Sequence, residues 1–229
     1  MEKKSLHQAV MDLLFPRRCP FCGKISGGAL LCGPCADALP STGEHPLLEG
    51  TFGRCAAPLR YEGRVRDAVL DFKFHGNTGG LDCFAELLAD CAAASYSGEF
   101  DTVTWVPVSK ERRRQRGFDQ SYELARAVCR CWGVEPTETL RKVWDNPPQS
   151  GIQAAEERRA NVLGVYEAVA PHVWGRRILL IDDVVTTGAT LTECARVLRD
   201  AGAADVICVA VAFARERKES EKVHKSPVE

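Results

Sequence analysis

The sequence predicts an α/β fold: a largely parallel sheet flanked by helices, preceded by a small N-terminal metal-binding module. Two observations carry this. From Asp101 onward, short apolar runs alternate with amphipathic stretches, the pattern of strands and crossover helices around a parallel sheet. Upstream, "CPFC" and "CGPC" form a CxxC-x9-CxxC pattern between Cys19 and Cys35. The chain of 229 residues, 45% hydrophobic and 27% charged, has an ordinary globular composition. A formal net charge of −1 excludes a chain that is basic as a whole, so any affinity for nucleic acid must be local. No apolar run reaches the length of a membrane-spanning helix. The N-terminus lacks the apolar segment and cleavage site of a signal peptide, so a cytoplasmic location is expected.

The elements follow in order. "MEKKSLHQAVMDLLFP" reads as a short amphipathic helix, with Leu6, Val10, Leu13 and Leu14 on one face and Pro16 as its stop. With eleven cysteines, an odd count, a fully paired disulfide framework is disfavoured. Closely spaced cysteines in a reducing compartment are better metal ligands than disulfides. Two CxxC turns can present four thiolates to one tetrahedral zinc, so Cys19, Cys22, Cys32 and Cys35 are the expected ligands, with Gly23 and Gly33 at the tight turns. The alternatives are a redox motif or core packing. Packing is the expectation for Cys55, Cys83, Cys91, Cys129, Cys131, Cys194 and Cys208.

Residues 1–45 thus form a helix-plus-zinc module, and 46–100 a hood-like helical and strand segment. In the latter, "LPSTGEHPLLEGTFG" reads as a loop and "RCAAPLRYEG" as a strand. "RVRDAVLDFKF" reads as a helix with Val65, Val69 and Phe72 inward, and "LDCFAELLADCAAASY" as a second helix. The α/β core spans 101–215. It holds strands at "DTVTWVPV", "TLRKVW", "NVLGVYEAV", "RRILLIDD" and "DVICVAVAFA", and helices at "FDQSYELARAVCRCW" and from about Thr190 to Asp200. The charged residues 216–229 read as a frayed tail.

The chemistry concentrates in "ILLIDDVVTTGAT". A branched apolar strand runs into a loop, "DDVVTTGAT", and then into a helix that Gly202 is placed to end. Unpaired backbone amides and the positive helix end make such a loop an anion site. Gly188 lets the backbone approach the anion closely, and Thr186, Thr187 and Thr190 add hydroxyl donors. Asp182 and Asp183 repel phosphate, so they fit a sugar diol or a divalent cation instead. Phosphate loop and carboxylates together describe a ribose phosphate site. The plain alternative is a strand-to-helix turn with Asp and Thr as caps.

This signature resembles the phosphoribosyl-pyrophosphate (PRPP) binding motif of type I phosphoribosyltransferases. "VPVSKERRRQRGFDQ", "PPQSGIQAAEERRANVLGVY", "LLFPRRCPFCG" with "LCGPC", and "LRYEGRVRDAVLDFKFHG" are similar to segments of ComF-family proteins in the same order, so the resemblance covers nearly the whole chain. It implies a type I phosphoribosyltransferase-like fold that binds PRPP with magnesium and transfers phosphoribosyl to an acceptor, with a role in natural competence and DNA uptake. It implies that Asp182 and Asp183 carry catalysis and hold the ribose hydroxyls. Thr186, Thr187, Gly188, Ala189 and Thr190, with Val184 and Val185 in the same signature, would hold the 5′-phosphate. Ser109, Lys110 and Arg116 would face pyrophosphate. The polar loop from Gln149 to Arg158 would be a flap with Arg158 as a ligand, and Lys73 could reach the site or only cap its helix. The chain departs from the family pattern at Ser109, where proline is usual, and at Asp119, where asparagine is usual.

A solvated basic face is the bland reading of "SKERRRQR". The competing functional reading is a non-catalytic accessory protein that handles single-stranded DNA through the zinc module and this basic loop, alongside competence or replication proteins. An aromatic content of 7% offers few stacking platforms. The residues name no acceptor and leave a homo-oligomer open.

Overall fold

The computed structural model of the chain describes residues 16–42, 47–75, 78–144 and 163–214. The N-terminal helix expected before Pro16, the flap residues Gln149 to Arg158 and the tail beyond 215 lie outside them. The helices are α1 (Gly33–Ala38), α2 (Gly63–His75), α3 (Leu81–Tyr96), α4 (Lys110–Arg116), α5 (Gln120–Trp132) and α6 (Ala189–Asp200). The strands are β1 (Leu47–Gly50), β2 (Gly53–Ala56), β3 (Leu59–Arg60), β4 (Thr102–Trp105), β5 (Leu140–Lys142), β6 (Tyr166–Ala168), β7 (Arg177–Val185) and β8 (Asp205–Phe213).

A six-stranded sheet runs β1-β2-β8-β7-β4, with β3 also paired to β8. Among the described residues every pairing in this sheet is parallel except that of β1 with β2, which is antiparallel. β5 and β6 form a separate antiparallel pair. The strands of the 46–100 segment therefore join the core sheet through β8. The single strand read at "RCAAPLRYEG" is two, broken at Ala57 and Pro58, because proline has no N–H to give the ladder.

Alternation along β7 builds a core on each face of the sheet. Leu179 and Ile181 join one cluster with Val69, Phe72, Phe84, Leu88 and Leu124 from α2, α3 and α5. Ile178 and Leu180 join the other, with Leu191 and Leu198 of α6 and Leu140 and Tyr166 of the small sheet. The expected inward residues of α2 are all buried: Val65, Val69 and Phe72 are at most 2% exposed.

Other sequence expectations shift as well. The loop "DDVVTTGAT" is shorter than read, because Asp182, Val184 and Val185 continue β7 and pair with Ala210, Ala212 and Phe213. Branched valines favour the extended backbone, which carries the strand past the carboxylates. The basic loop after Val106 contains α4, nucleated by the Ser109 hydroxyl accepting from the Arg112 amide at 3.2 Å and stopped at Gly117, φ +82°. "LPSTGEHPLLEGTFG" contains β1. Of the cysteines expected to pack, only Cys131 is exposed.

Candidate functional site

β4 ends beside Ile181 of β7, where Val106 N–H donates to the Ile181 carbonyl at 3.0 Å, and β7 runs on to Val185. Just beyond lies a cavity of about 280 Å³ whose walls include Asp182, Asp183, Thr186, Thr190, Lys73 and Arg112. Ligands of parallel sheets bind at this carboxyl edge. Asp182 Oδ1 accepts from the Ser121 hydroxyl at 3.2 Å and from the Asp183 amide at 2.8 Å. Asp183 Oδ1 lies 2.9 Å from Lys73 Nζ. Lys73, on α2, thus borders the cavity beside Asp183. Burial, and then the Asp183 carboxylate, push the Asp182 carboxyl up to about 7. Lys73, the Asp183 amide and Ser121 pull the other way. Burial disfavours the Lys73 ammonium, but Asp183 beside it outweighs this and holds its pKa above the ordinary value. Two adjacent carboxylates, one shared with a cation, offer too few oxygens for a magnesium cage but suit an ion that arrives with substrate phosphates.

The turn from Thr186 to Gly188 leads into α6. Gly188 is its N-cap at φ +73° and has no side chain with which to cap the helix. Thr187 Oγ1 accepts from the Ala189 amide at 3.4 Å, while Thr186 and Thr190 line the cavity. Gly188 is required twice over. Its φ suits glycine, and a Cβ there would lie 2.4 Å from the ring of Phe52, which the β1–β2 turn lays over it. Thr51 and Thr192 hydroxyls, 2.8 Å apart, fasten the same turn to α6. Val185 and Ala189 are buried and shape the turn rather than line the cavity.

The opposite wall is the Pro107–Val108 turn. Asp119, where the family pattern has asparagine, holds it: Oδ2 accepts from Val108 N at 3.1 Å and Oδ1 from Tyr122 N at 3.1 Å, capping α5. Burial raises its pKa while these amides lower it. Gln120, fully buried, accepts from Arg116 Nη1 at 2.8 Å and donates to the Lys73 carbonyl at 3.5 Å, tying α2 to the basic helix. Arg116 lines the cavity and also lies 4.9 Å over the exposed Phe74 ring. Ser109 and Lys110 face a neighbouring groove instead. Residue patterns missed Tyr61, Gln120, Ser121, Lys142 and Tyr166 as cavity walls. Each is a lone polar or aromatic residue brought in by tertiary packing, with no spacing signal to mark it.

The cysteine pattern also converges. The four Sγ atoms of Cys19, Cys22, Cys32 and Cys35 lie within 4.8 Å of one another, and Cys22 and Cys32 are 3.6 Å apart. Tetrahedral zinc with Zn–S bonds of about 2.3 Å needs sulfurs about 3.8 Å apart, so the cluster fits it. Gly23 turns at φ +71° with its N–H donating to the Cys19 carbonyl at 2.9 Å, whereas Gly33 simply begins α1. Arg64 of α2 donates toward Cys35 Sγ at 3.6 Å. Phe21, inside the first knuckle, starts a run of edge-to-face rings through Phe84 and Phe72 to Phe118, with centroids 5.8, 5.9 and 5.6 Å apart. The run links the zinc module to residues flanking Lys73 and Asp119.

Family models match this chain twice: a phosphoribosyl transferase domain over residues 114–228 and a double zinc ribbon domain over residues 10–68. The chain is 33% identical over 194 residues to the DNA utilization protein YhgH of Salmonella typhi, covering 82% of this chain and 80% of that one. It is 26% identical over 186 residues to competence protein ComFC of Bacillus subtilis strain 168, covering 81% and 73%. Among solved structures, glutamine PRPP amidotransferase from B. subtilis, complexed with ADP and GMP, is similar at a TM-score of 0.42 and 20% identity. That match covers 72% of this chain but only 35% of the solved one. With a zinc ribbon leading into a phosphoribosyltransferase domain, and one relative aligned over most of both lengths, the chain belongs to the ComF family.

Proposed function

We propose that the chain binds PRPP with magnesium in the cavity at the end of β7 and transfers its phosphoribosyl group to an acceptor, in a role connected with natural competence and DNA uptake. One observation carries the reading: Asp182, Asp183, Thr186 and Thr190 face a single cavity bordered by Lys73, Arg112 and Arg116. The carboxylates suit the ribose diol, the glycine-led start of α6 suits the 5′-phosphate, and the arginines suit pyrophosphate. In the reaction the bond from the anomeric carbon to pyrophosphate breaks, with oxygen keeping the electron pair. An acceptor lone pair then forms the new bond through an oxocarbenium-like transition state. Asp182 and Asp183 would hold magnesium, which, when bound, supplies charge stabilisation to the departing pyrophosphate. Lys73 positions Asp183, and Ser121 and the Asp183 amide position Asp182. The relatives' names, competence protein and DNA utilization protein, support the biological setting.

A second reading has support of its own. Lys110, Arg113 and Arg114 project from α4 into solvent, as a protein handling single-stranded DNA without catalysis would need. Pyrophosphate release from magnesium PRPP, screened against bases and amines, separates the two. Turnover that disappears in the Asp182→Asn, Asp183→Asn variant supports the transferase. No turnover with any acceptor, despite tight PRPP binding, selects the accessory reading.

A further inference from the structure

On the far side of the Pro107–Val108 turn lies a second hollow, of about 720 Å³. It shares Pro107, Val108 and Lys142 with the ribose phosphate cavity, so the two are neighbouring chambers with a common wall. Its floor is Trp105, half-buried and packed against Tyr122 with centroids 4.8 Å apart. Its rim carries Trp144, 70% exposed, and Val143, 47% exposed, at the end of β5. Lys110, Arg113 and Lys142 bring positive charge to it. The acidic lining is already engaged: Glu138 accepts from Arg141 at 3.0 and 3.2 Å, and Asp119 accepts from the Val108 and Tyr122 amides. An exposed indole beside cations, with neighbouring carboxylates occupied, is complementary to a ligand that is both aromatic and anionic.

We propose that this groove is a nucleotide-binding subsite, with the base stacked on Trp144 and the phosphate held by Lys110, Arg113 and Lys142. Indole faces stack any base, and lysine and arginine hold phosphate oxygens, so the recognition is tolerant of sequence. The proposal locates and specifies the polyanion surface of the second reading and stands without the first, because none of Trp144, Lys110 and Arg113 lines the ribose phosphate cavity. Lys142 is the exception. It faces both chambers and lies 5.5 Å over the Tyr166 ring, its partner across β5 and β6.

The test is fluorescence titration of the zinc-loaded full chain with thymidine 5′-monophosphate and, separately, with oligothymidylate of about 12 nucleotides, inside the usual site size. Trp144→Ala, at an exposed position, is expected to weaken binding about tenfold, and Trp144→Phe to restore most of it. Arg113→Ala is expected to reduce the salt dependence of oligomer binding by about 0.7 in logarithmic slope, one phosphate contact. Oligomer binding far tighter than the mononucleotide identifies a strand as the source; equal affinities identify the free nucleotide. Unchanged binding of both probes by Trp144→Ala and Arg113→Ala overturns the subsite. Asp182→Asn with Asp183→Asn is expected to leave both titrations intact while removing PRPP binding, so the cavity and the groove fail separately. Lys142→Gln is expected to weaken both.

Discussion

The cysteine cluster and the carboxylate cavity are both charged centres, but they are built in opposite ways. All four thiol ligands come from a span of seventeen residues, Cys19 to Cys35, and close turns bring them together. The cavity draws Lys73 from α2, Ser121 from α5, Lys142 and Tyr166 from the small sheet and the aspartates from β7. The first can assemble before the rest of the chain folds, given its metal. The second exists only once the whole sheet is in place. The aromatic run from Phe21 to Phe118 connects them, so the local centre helps hold elements that frame the distributed one.

The largest effect expected from this contrast is metal removal. Chelation, or Cys19→Ser with Cys35→Ser, should unfold the module, since structural zinc in such sites contributes roughly 10–16 kcal/mol of apparent folding energy. Cys19 and Cys35 are 1% exposed and belong to the same apolar cluster as α2, α3 and α5. The main thermal transition should therefore fall as well, by at least about 5 °C. A metal-free protein with an unchanged transition would separate the two regions.

Phe84→Ala comes next, with an expected loss of about 3–5 kcal/mol, because the ring is 1% exposed and touches both Phe21 and Phe72. Zinc release, followed with a metal indicator, should then move together with loss of tertiary structure. Separate transitions would show that the ring run does not couple the regions.

A smaller and more specific effect is the pH response of Asp182. Its carboxyl is raised from an ordinary 3.8 to about 7 in the folded chain, so the native state holds a proton that the unfolded state releases. This contribution to stability is fully present below about pH 4 and is lost as pH rises through 7. The difference in Tm between Asp182→Asn and the wild type should therefore shift in the variant's favour from pH 4 to 7, then level off. A pH-independent difference would place Asp182 in a wetter site. Magnesium needs the ionised carboxylate, so magnesium-dependent PRPP binding should strengthen over the same interval.

What the sequence made legible follows the same division. The CxxC spacing and the Asp182–Thr190 signature are local, and each names its own residues without knowledge of the fold. The helices at 63–75, 81–96 and 120–132 were equally clear, because burial of one helical face dictates their periodicity. The short α4 was hidden in a charge run, since its seven residues bury no side chain and leave no apolar period. β1 was hidden among glycine, proline and polar residues. Ser121 and Gln120 carried no signal at all. Their roles depend on Asp182 and Lys73, 61 and 47 residues away in sequence, and only the packed fold supplies those neighbours.

The central claim is that the carboxylates and the α6 turn form one PRPP site. Calorimetric titration of magnesium PRPP into the wild type and into Asp182→Asn, Asp183→Asn tests it most directly, with circular dichroism and zinc content establishing that the variant is folded. The expected result is binding by the wild type and at least a hundredfold loss in the variant, about 2.7 kcal/mol. Equal affinity in the folded variant, or no binding by the wild type, would contradict the account.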